Sequence, residues 1–219
     1  MPKLGMQPIR RRQLIDATIR TIEAHGFAET TIARISKAAG LSSGIISHYF
    51  GGKNALLAAT MRALLSELQA AVITRLRRAQ SPIARIEAVI DASFSTEQFT
   101  PRVSTAWLAF YGQVPHSPEL ARLHRAYLGR LRSNLRHAFR QLLGPDEADR
   151  AAEGMGAMID GIWVRSALRR QIPDMAHAHA LADDYLRMIL KYHRNPGTAE
   201  ASSGARAQPD GGLHHHASR

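Results

Sequence analysis

An all-α fold is what this sequence predicts, and three observations carry the prediction. Apolar residues recur at steps of three and four along nearly the whole chain, consecutive β-branched residues are scarce, and Gly and Pro gather at the breaks between periodic stretches. Its 219 residues suffice for a buried core and for two linked modules.

The elements follow in order. Leu14, Ile15, Ile19 and Ile22 lie on one stripe of a first helix, which Gly26 ends. Thr31 is placed to cap a second helix carrying Ile32, Ile35 and Ala39, and Gly40 stops it. Ser42 is expected to cap a short third helix with Ile45, Ile46 and Tyr49, closed by Gly51 and Gly52. A long fourth helix is expected over 53–78, where Leu57, Met61, Leu64 and Leu68 share a face. Five more are expected over 83–96, 101–113, 117–143, 146–170 and 174–193, punctuated by Pro82, Pro115, Pro118, Gly144, Pro145 and Pro173. Residues 195–219 are rich in Gly, Ser, Ala and Pro and lack an apolar period, so a disordered tail is expected there. The expected domains are therefore 1–52, 53–194 and the tail.

Composition narrows the function classes. Apolar runs are interrupted well short of the roughly 20 residues that span a bilayer, so no transmembrane helix is expected. The first residues lack the pattern of a secretory signal, which makes the cytoplasm the expected compartment. The absence of cysteine removes disulfides, thiolate zinc sites and cysteine nucleophiles. Paired carboxylates, nucleophile and base arrangements and metal spacings are not evident: His177 and His179 point to different helix faces, and His214 to His216 stand in the tail without supporting acids. No enzyme, metal or cofactor is expected.

The net charge of +11 calls for an anionic partner. Residues 1–53 hold eight Lys or Arg against three acids. These charges surround short helices rather than lining one long amphipathic helix, which favours nucleic acid over a membrane surface.

The segment TIARISKAAGLSSGIISHYF, 31–50, carries the sharpest signal. A helix-turn-helix needs a small residue where its second helix crosses the first, a Gly at positive φ in the turn, and a β-branched anchor in the second helix. Ser36, Gly40 and Ile46 supply them at spacings of four and six. If the second helix enters a major groove, Ser43, Gly44, Ser47 and His48 are short or polar enough to approach base edges. Thr31, Ser42, Tyr49 and Lys53 stand at helix ends or rims, where they suit phosphate oxygens. Ile32, Ala33, Arg34 and Phe50 complete the expected DNA-binding set, and Lys3 with Arg10 to Arg12 could follow the flanking backbone or minor groove.

These three helices, ending in GIISHYF and followed by GGKNALLAATM at the head of a long helix, resemble the TetR family of repressors. The opening MPKLGMQPIRRRQLIDAT, together with AWLAF at 106–110 and MIDGIWVRSAL at 158–168, narrows the resemblance to members that respond to choline and repress betaine-synthesis genes. It covers about residues 1–193, and Ser36 departs from it where the family usually has Ala.

The resemblance implies a nine-helix plan, double-stranded operator DNA as partner, a homodimer closed by the last two helices, and a small cationic effector, choline. Residues support the dimer independently. Met155, Met158, Ile159 and Ile162 alternate with Gly154, Gly156, Ala157 and Gly161 on helix eight, while Leu181, Tyr185, Met188, Ile189 and Tyr192 form an apolar face on helix nine.

A quaternary ammonium is held by aromatic faces and a carboxylate. Trp107, Phe110 and Tyr111, at i, i+3 and i+4, can share a helix face, with Trp163 or Phe99 completing an enclosure and Glu97, Asp91 or Asp160 as the acid. The same aromatics would equally serve as ordinary core.

Overall fold

The computed structural model describes residues 6–169 and 174–194. Lys3, residues 170–173 and the expected tail with its histidines lie outside them. Among the described residues there are nine α-helices and no strand: α1 (Met6–His25), α2 (Ile32–Ala39), α3 (Gly44–Phe50), α4 (Lys53–Leu76), α5 (Pro82–Ser93), α6 (Pro101–Gln113), α7 (Pro118–Phe139), α8 (Pro145–Arg169) and α9 (Met175–Arg194).

Helix starts follow one recipe. Ser81, Thr100 and Ser117 each precede a proline, sit in extended backbone, and accept a hydrogen bond from the amide three residues on. Thr31 caps α2 in the same way, accepting from the Arg34 amide at 3.2 Å. The expected Ser42 cap is not what starts α3. Ser43 immediately precedes that helix with φ −62° and ψ −31°, already helical, and its hydroxyl makes no capping bond. Backbone bonds close the turn instead, from the Ile45 amide to the Ser42 carbonyl at 3.1 Å and from the Ile46 amide to the Ser43 carbonyl.

Two cores result. Leu14 and Ala17 of α1, Ile35 of α2, Ile46 of α3 and Leu56 of α4 form a small one. The large one is built from α4 to α9, with Ile19 and Ile22 of α1 joining it. Helices α1 and α4 thus belong to both. Two ion pairs join α1 to its neighbours here, Arg12 with Glu67 of α4 at 2.8 Å and Asp16 with Arg102 of α6 at 3.8 Å, and Arg12 and Asp16 pair within α1 at 3.3 Å. All are partly exposed, so each contributes little alone.

Two expectations need correction. Helix α4 is long and apolar enough, with a window of mean hydropathy 1.4, to pass a membrane-span criterion, but 56% of that window is buried within the protein, as in the core helix of a soluble fold. On α8, Met155 and Ile159 are fully buried inside the protomer, which leaves Met158 and Ile162 as the half-buried apolar residues of that face.

Ser36 is 2% exposed where α2 and α3 cross, and its hydroxyl finds no partner. A buried unsatisfied hydroxyl costs about 1–3 kcal/mol relative to a non-polar replacement of similar shape. Ser36→Ala is therefore expected to raise the thermal midpoint by a few degrees, measured by circular dichroism; a lowered midpoint would show that the hydroxyl is satisfied in solution.

Candidate functional site

The helix-turn-helix is built as its sequence requires. Gly40 adopts φ 66°, its amide donating to the Lys37 carbonyl at 3.1 Å, and the Leu41 amide donates to the Ser36 carbonyl at 2.9 Å. With Ile35 and Ile46 fully buried, α3 presents Gly44, Ser47 and His48 to solvent, next to exposed Ser42 and Ser43. A Cβ at Gly44 would meet nothing within 4 Å, so the fold does not require glycine there and leaves the surface open to close approach.

Around that face, Thr31, Ala33 and Arg34 are exposed at the start of α2. The Arg34 guanidinium donates to the Glu29 carbonyl at 3.2 Å and pairs with the Glu29 carboxylate at 3.2 Å. Half-buried Tyr49 lies edge-on to His48, and half-buried Lys53 extends over the Phe27 ring at 5.9 Å. Ile32 and Phe50, like Tyr49, are half-buried against the small core, which they help to anchor.

The basic run at the head of α1 is also engaged within the protein. Arg11 donates to the Tyr49 carbonyl at the end of α3, and its guanidinium lies 4.2 Å from the centre of the Phe50 ring. Arg12 pairs with Asp16 and Glu67, and Arg10 donates to Gln13 at 2.9 Å. Arg11 stands at i, i+3 and i+4 to Leu14 and Ile15, so the stripe of α1 contained the signal that it faces inward.

The second candidate site lies where α6, α7 and α8 meet. The Asp160 carboxylate of α8 accepts hydrogen bonds at one oxygen from Tyr127 Oη at 2.9 Å and Tyr111 Oη at 3.3 Å. The Trp107 ring centre lies 5.8 Å from Tyr111, 5.4 Å from Tyr127 and 6.2 Å from Trp163, and Phe99 stands edge-on to Trp163 at 5.2 Å. His124 stacks edge-on against Tyr111 at 5.3 Å.

Burial pushes the Asp160 carboxyl above its ordinary range, against the pull of the two phenols and His124. Burial holds His124 below the usual imidazole value, with the Asp160 charge opposing it. Both tyrosine hydroxyls are driven up by burial and by that charge, so they remain donors. Among the described residues, Asp160 forms no ion pair with Lys, Arg or His. The result is one half-buried carboxylate beside aromatic rings, with no ion-pair partner among the described residues.

Trp107, Tyr111, Trp163, Phe99 and Asp160 are thus brought together. Phe110 is not: at about 100° per residue it lies about 60° from Trp107 and about 100° from Tyr111 around α6, and it is fully buried in the large core. Glu97 is exposed in the turn before α6, its carboxyl lowered by its own backbone amide and by the hydroxyls of Ser95 and Thr96. Asp91 pairs with His179 of α9 at 3.3 Å. Tyr127 and His124 were missed because α7 reads as a leucine stripe; Tyr127 stands between Leu123 and Leu131 at steps of four, a polar-tipped member of that stripe.

The family described as BetI-type transcriptional repressor, C-terminal, matches residues 82–191, and the tetR family of bacterial regulatory proteins matches residues 14–60. The HTH-type transcriptional regulator BetI 1 of Chromohalobacter salexigens is 52% identical over 193 residues, covering 87% of this chain and 95% of that protein. The BetI regulator of Brucella suis is 47% identical over 190 residues, covering 87% and 96%. A transcriptional regulator from Pseudomonas aeruginosa PAO1 superposes with a TM-score of 0.73 at 28% identity, covering 86% of this chain and 94% of that one. A regulator from Saccharomonospora viridis, solved in complex with choline, superposes with a TM-score of 0.70 at 17% identity, covering 82% and 96%. These relatives are regulators of transcription rather than enzymes, and the chain belongs to the TetR family as a BetI-type transcriptional repressor.

Proposed function

We propose that this protein is a homodimer that binds a two-fold operator at betaine-synthesis genes in the cytoplasm and leaves it when choline occupies the Asp160 site. The observation that carries the ligand is the half-buried carboxylate with no ion-pair partner among the described residues, beside Trp107, Tyr111, Tyr127 and Trp163. A quaternary ammonium has no hydrogen to donate, so it binds through aromatic faces and charge, which is what this site offers. The choline found in the distant Saccharomonospora viridis regulator is in keeping with that chemistry.

For the dimer, the support is the apolar surface left on α8 and α9. Leu168, Leu181, Met188 and Tyr192 are exposed, and an open groove of about 490 Å3 runs between the two helices past Met158 and Ile162. Gly154 lets the helices approach, since a Cβ there would fall 2.0 Å from Tyr185 Oη. A second copy packed on this face makes a four-helix bundle and sets the two α3 helices at operator spacing.

In the mechanism, choline favours a conformation in which that spacing is wrong. Tyr127 links the two ends: its hydroxyl holds Asp160, and the residue also lines an apolar cavity of about 320 Å3 against α4 and α5. Helix α4 has room to shift there, and its start is packed in the DNA-binding core through Leu56. Choline must bind the released conformation better, by about 1–3 kcal/mol for ordinary allosteric coupling.

Fluorescence anisotropy of a labelled promoter duplex at fixed salt tests this directly: choline is expected to weaken binding by about 5- to 150-fold, and unchanged binding would remove choline as effector. Asp160→Asn keeps an acceptor for both phenols and deletes the charge. Choline affinity is expected to fall at least about tenfold, or ~1.4 kcal/mol, in calorimetric titration.

The same variant has a pH signature. Because the folded carboxyl is raised, its contribution to stability is full below the ordinary carboxylate range and is lost as pH rises through the folded value. The thermal midpoint of Asp160→Asn relative to the parent should therefore climb between pH 4 and pH 7; a constant difference would place Asp160 in water.

Arg11 separates positioning from phosphate contact. Arg11→Ala is expected to weaken operator binding about tenfold while leaving the slope of log affinity against log salt unchanged, because the guanidinium closes α3 and rests on Phe50. A slope lowered by about one would mean that Arg11 neutralises a phosphate.

A further inference from the structure

The cage has polar groups that a bare cation leaves unused. Trp107 is 3% exposed and its indole N–H is buried without an acceptor; Ser104, at 1%, has a hydroxyl in the same condition. Groups of this kind in a native interior call for an explanation, because nearly all buried donors are met. Helix α6 puts both on the side that carries Tyr111: Ser104 lies about 60° from Trp107 and about 20° from Tyr111 around the axis.

Contacts to α8 fix the order along the site. Tyr111 meets Asp160, and Trp107 meets Trp163 one turn further along α8, so the two helices run antiparallel here. Ser104, one turn before Trp107, therefore lies beyond the indole from the carboxylate. Along α6 the order is therefore Tyr111 beside Asp160, then Trp107 beside Trp163, then Ser104.

We propose that Trp107 Nε1 and Ser104 Oγ form an oxygen-binding end of the effector site, so that the effector is a cation carrying a hydroxyl a few bonds from its charge. The proposal rests on the reading of Asp160 as the partner of the cation. An indole can only donate, so the group opposite it must accept; a serine hydroxyl does either. An alcohol meets both, its oxygen accepting from Trp107 while its own hydrogen goes to Ser104. An alkylammonium without oxygen fills the aromatic walls and leaves both groups unpaired. Sites built to hydrogen-bond a ligand hydroxyl reject the analogue that lacks it, because their polar groups then stay buried without a partner.

Calorimetric titration of the full-length dimer with choline and with ethyltrimethylammonium, the same cation with a methyl in place of the hydroxymethyl, measures this end alone. Choline is expected to bind at least about tenfold tighter. Trp107→Phe keeps an aromatic wall and deletes the donor, and Ser104→Ala deletes the hydroxyl at little cost in volume; each is expected to bring the ratio of the two affinities towards one. Because that ratio is taken within one protein, a general loss of affinity does not imitate it. Equal affinities in the unaltered protein overturn the oxygen-binding end while leaving the cation site intact, and a ratio that survives in both variants takes it away from these residues. If neither cation binds, the Asp160 reading falls and this inference with it.

Discussion

Burying a carboxylate away from any fixed cation is costly, and the arrangement of α6, α7 and α8 depends on how that cost is met. Asp160 is pushed towards its neutral form by burial and pulled back by two phenols, one from α6 and one from α7. No single helix supplies this environment: the carboxylate comes from α8, its hydrogen bonds from the other two, and the walls from all three with Phe99 in the turn before α6. The fold leaves that charge only partly answered by the described residues.

The helix-turn-helix is tied to the rest of the fold because the two cores are not separate. Helix α1 contributes Leu14 and Ala17 to the small core and Ile19 and Ile22 to the large one, while α4 gives Leu56 to the first and Met61, Leu64 and Leu68 to the second. Helix α6 touches α1 through Arg102 and Asp16 and bears Trp107 and Tyr111 about one and a half and two and a half turns later. Close-packed helices transmit displacement because interiors have little free volume to absorb it. The exposed ion pairs at the junction are individually weak, so the shared apolar packing carries the connection.

Much of the helix plan was written in local chemistry. The Ser-Pro and Thr-Pro pairs mark three helix starts, and Gly26 and Gly40 mark two ends at positive φ. The start of α3 was harder, because Ser42 and Ser43 are equally good candidates by type and only backbone geometry separates them. For the ligand site, sequence spacing placed Trp107 and Tyr111 on one helix and Asp160 on another, but it could not show that Phe110 turns away into the core or that Tyr127 closes the cage. Those facts depend on which side of α6 meets α8 and on how α7 is rotated against both, which is tertiary packing rather than periodicity. Glu97 is a related case: it is exposed in the turn before α6, which spacing alone does not reveal.

Helix α3 illustrates how much an exposed helix face depends on the residues behind it. At seven residues it is far below the length at which an isolated helix is stable in water, about 12–15 residues. Its outer face is Gly44, Ser47 and His48, of which the glycine weakens a helix and the serine does little to strengthen one. Its order must therefore come from behind: Ile46 fully buried, Gly51 closing the last turn at φ 78°, and Arg11 reaching from α1 to the Tyr49 carbonyl and the Phe50 ring. Short side chains that permit close approach to a groove are poor at stabilising the helix that presents them. Placing the stabilising contacts on its inner face and its C-terminal end resolves the conflict, and it accounts for Arg11, in a basic run at the head of α1, turning to the Tyr49 carbonyl and the Phe50 ring.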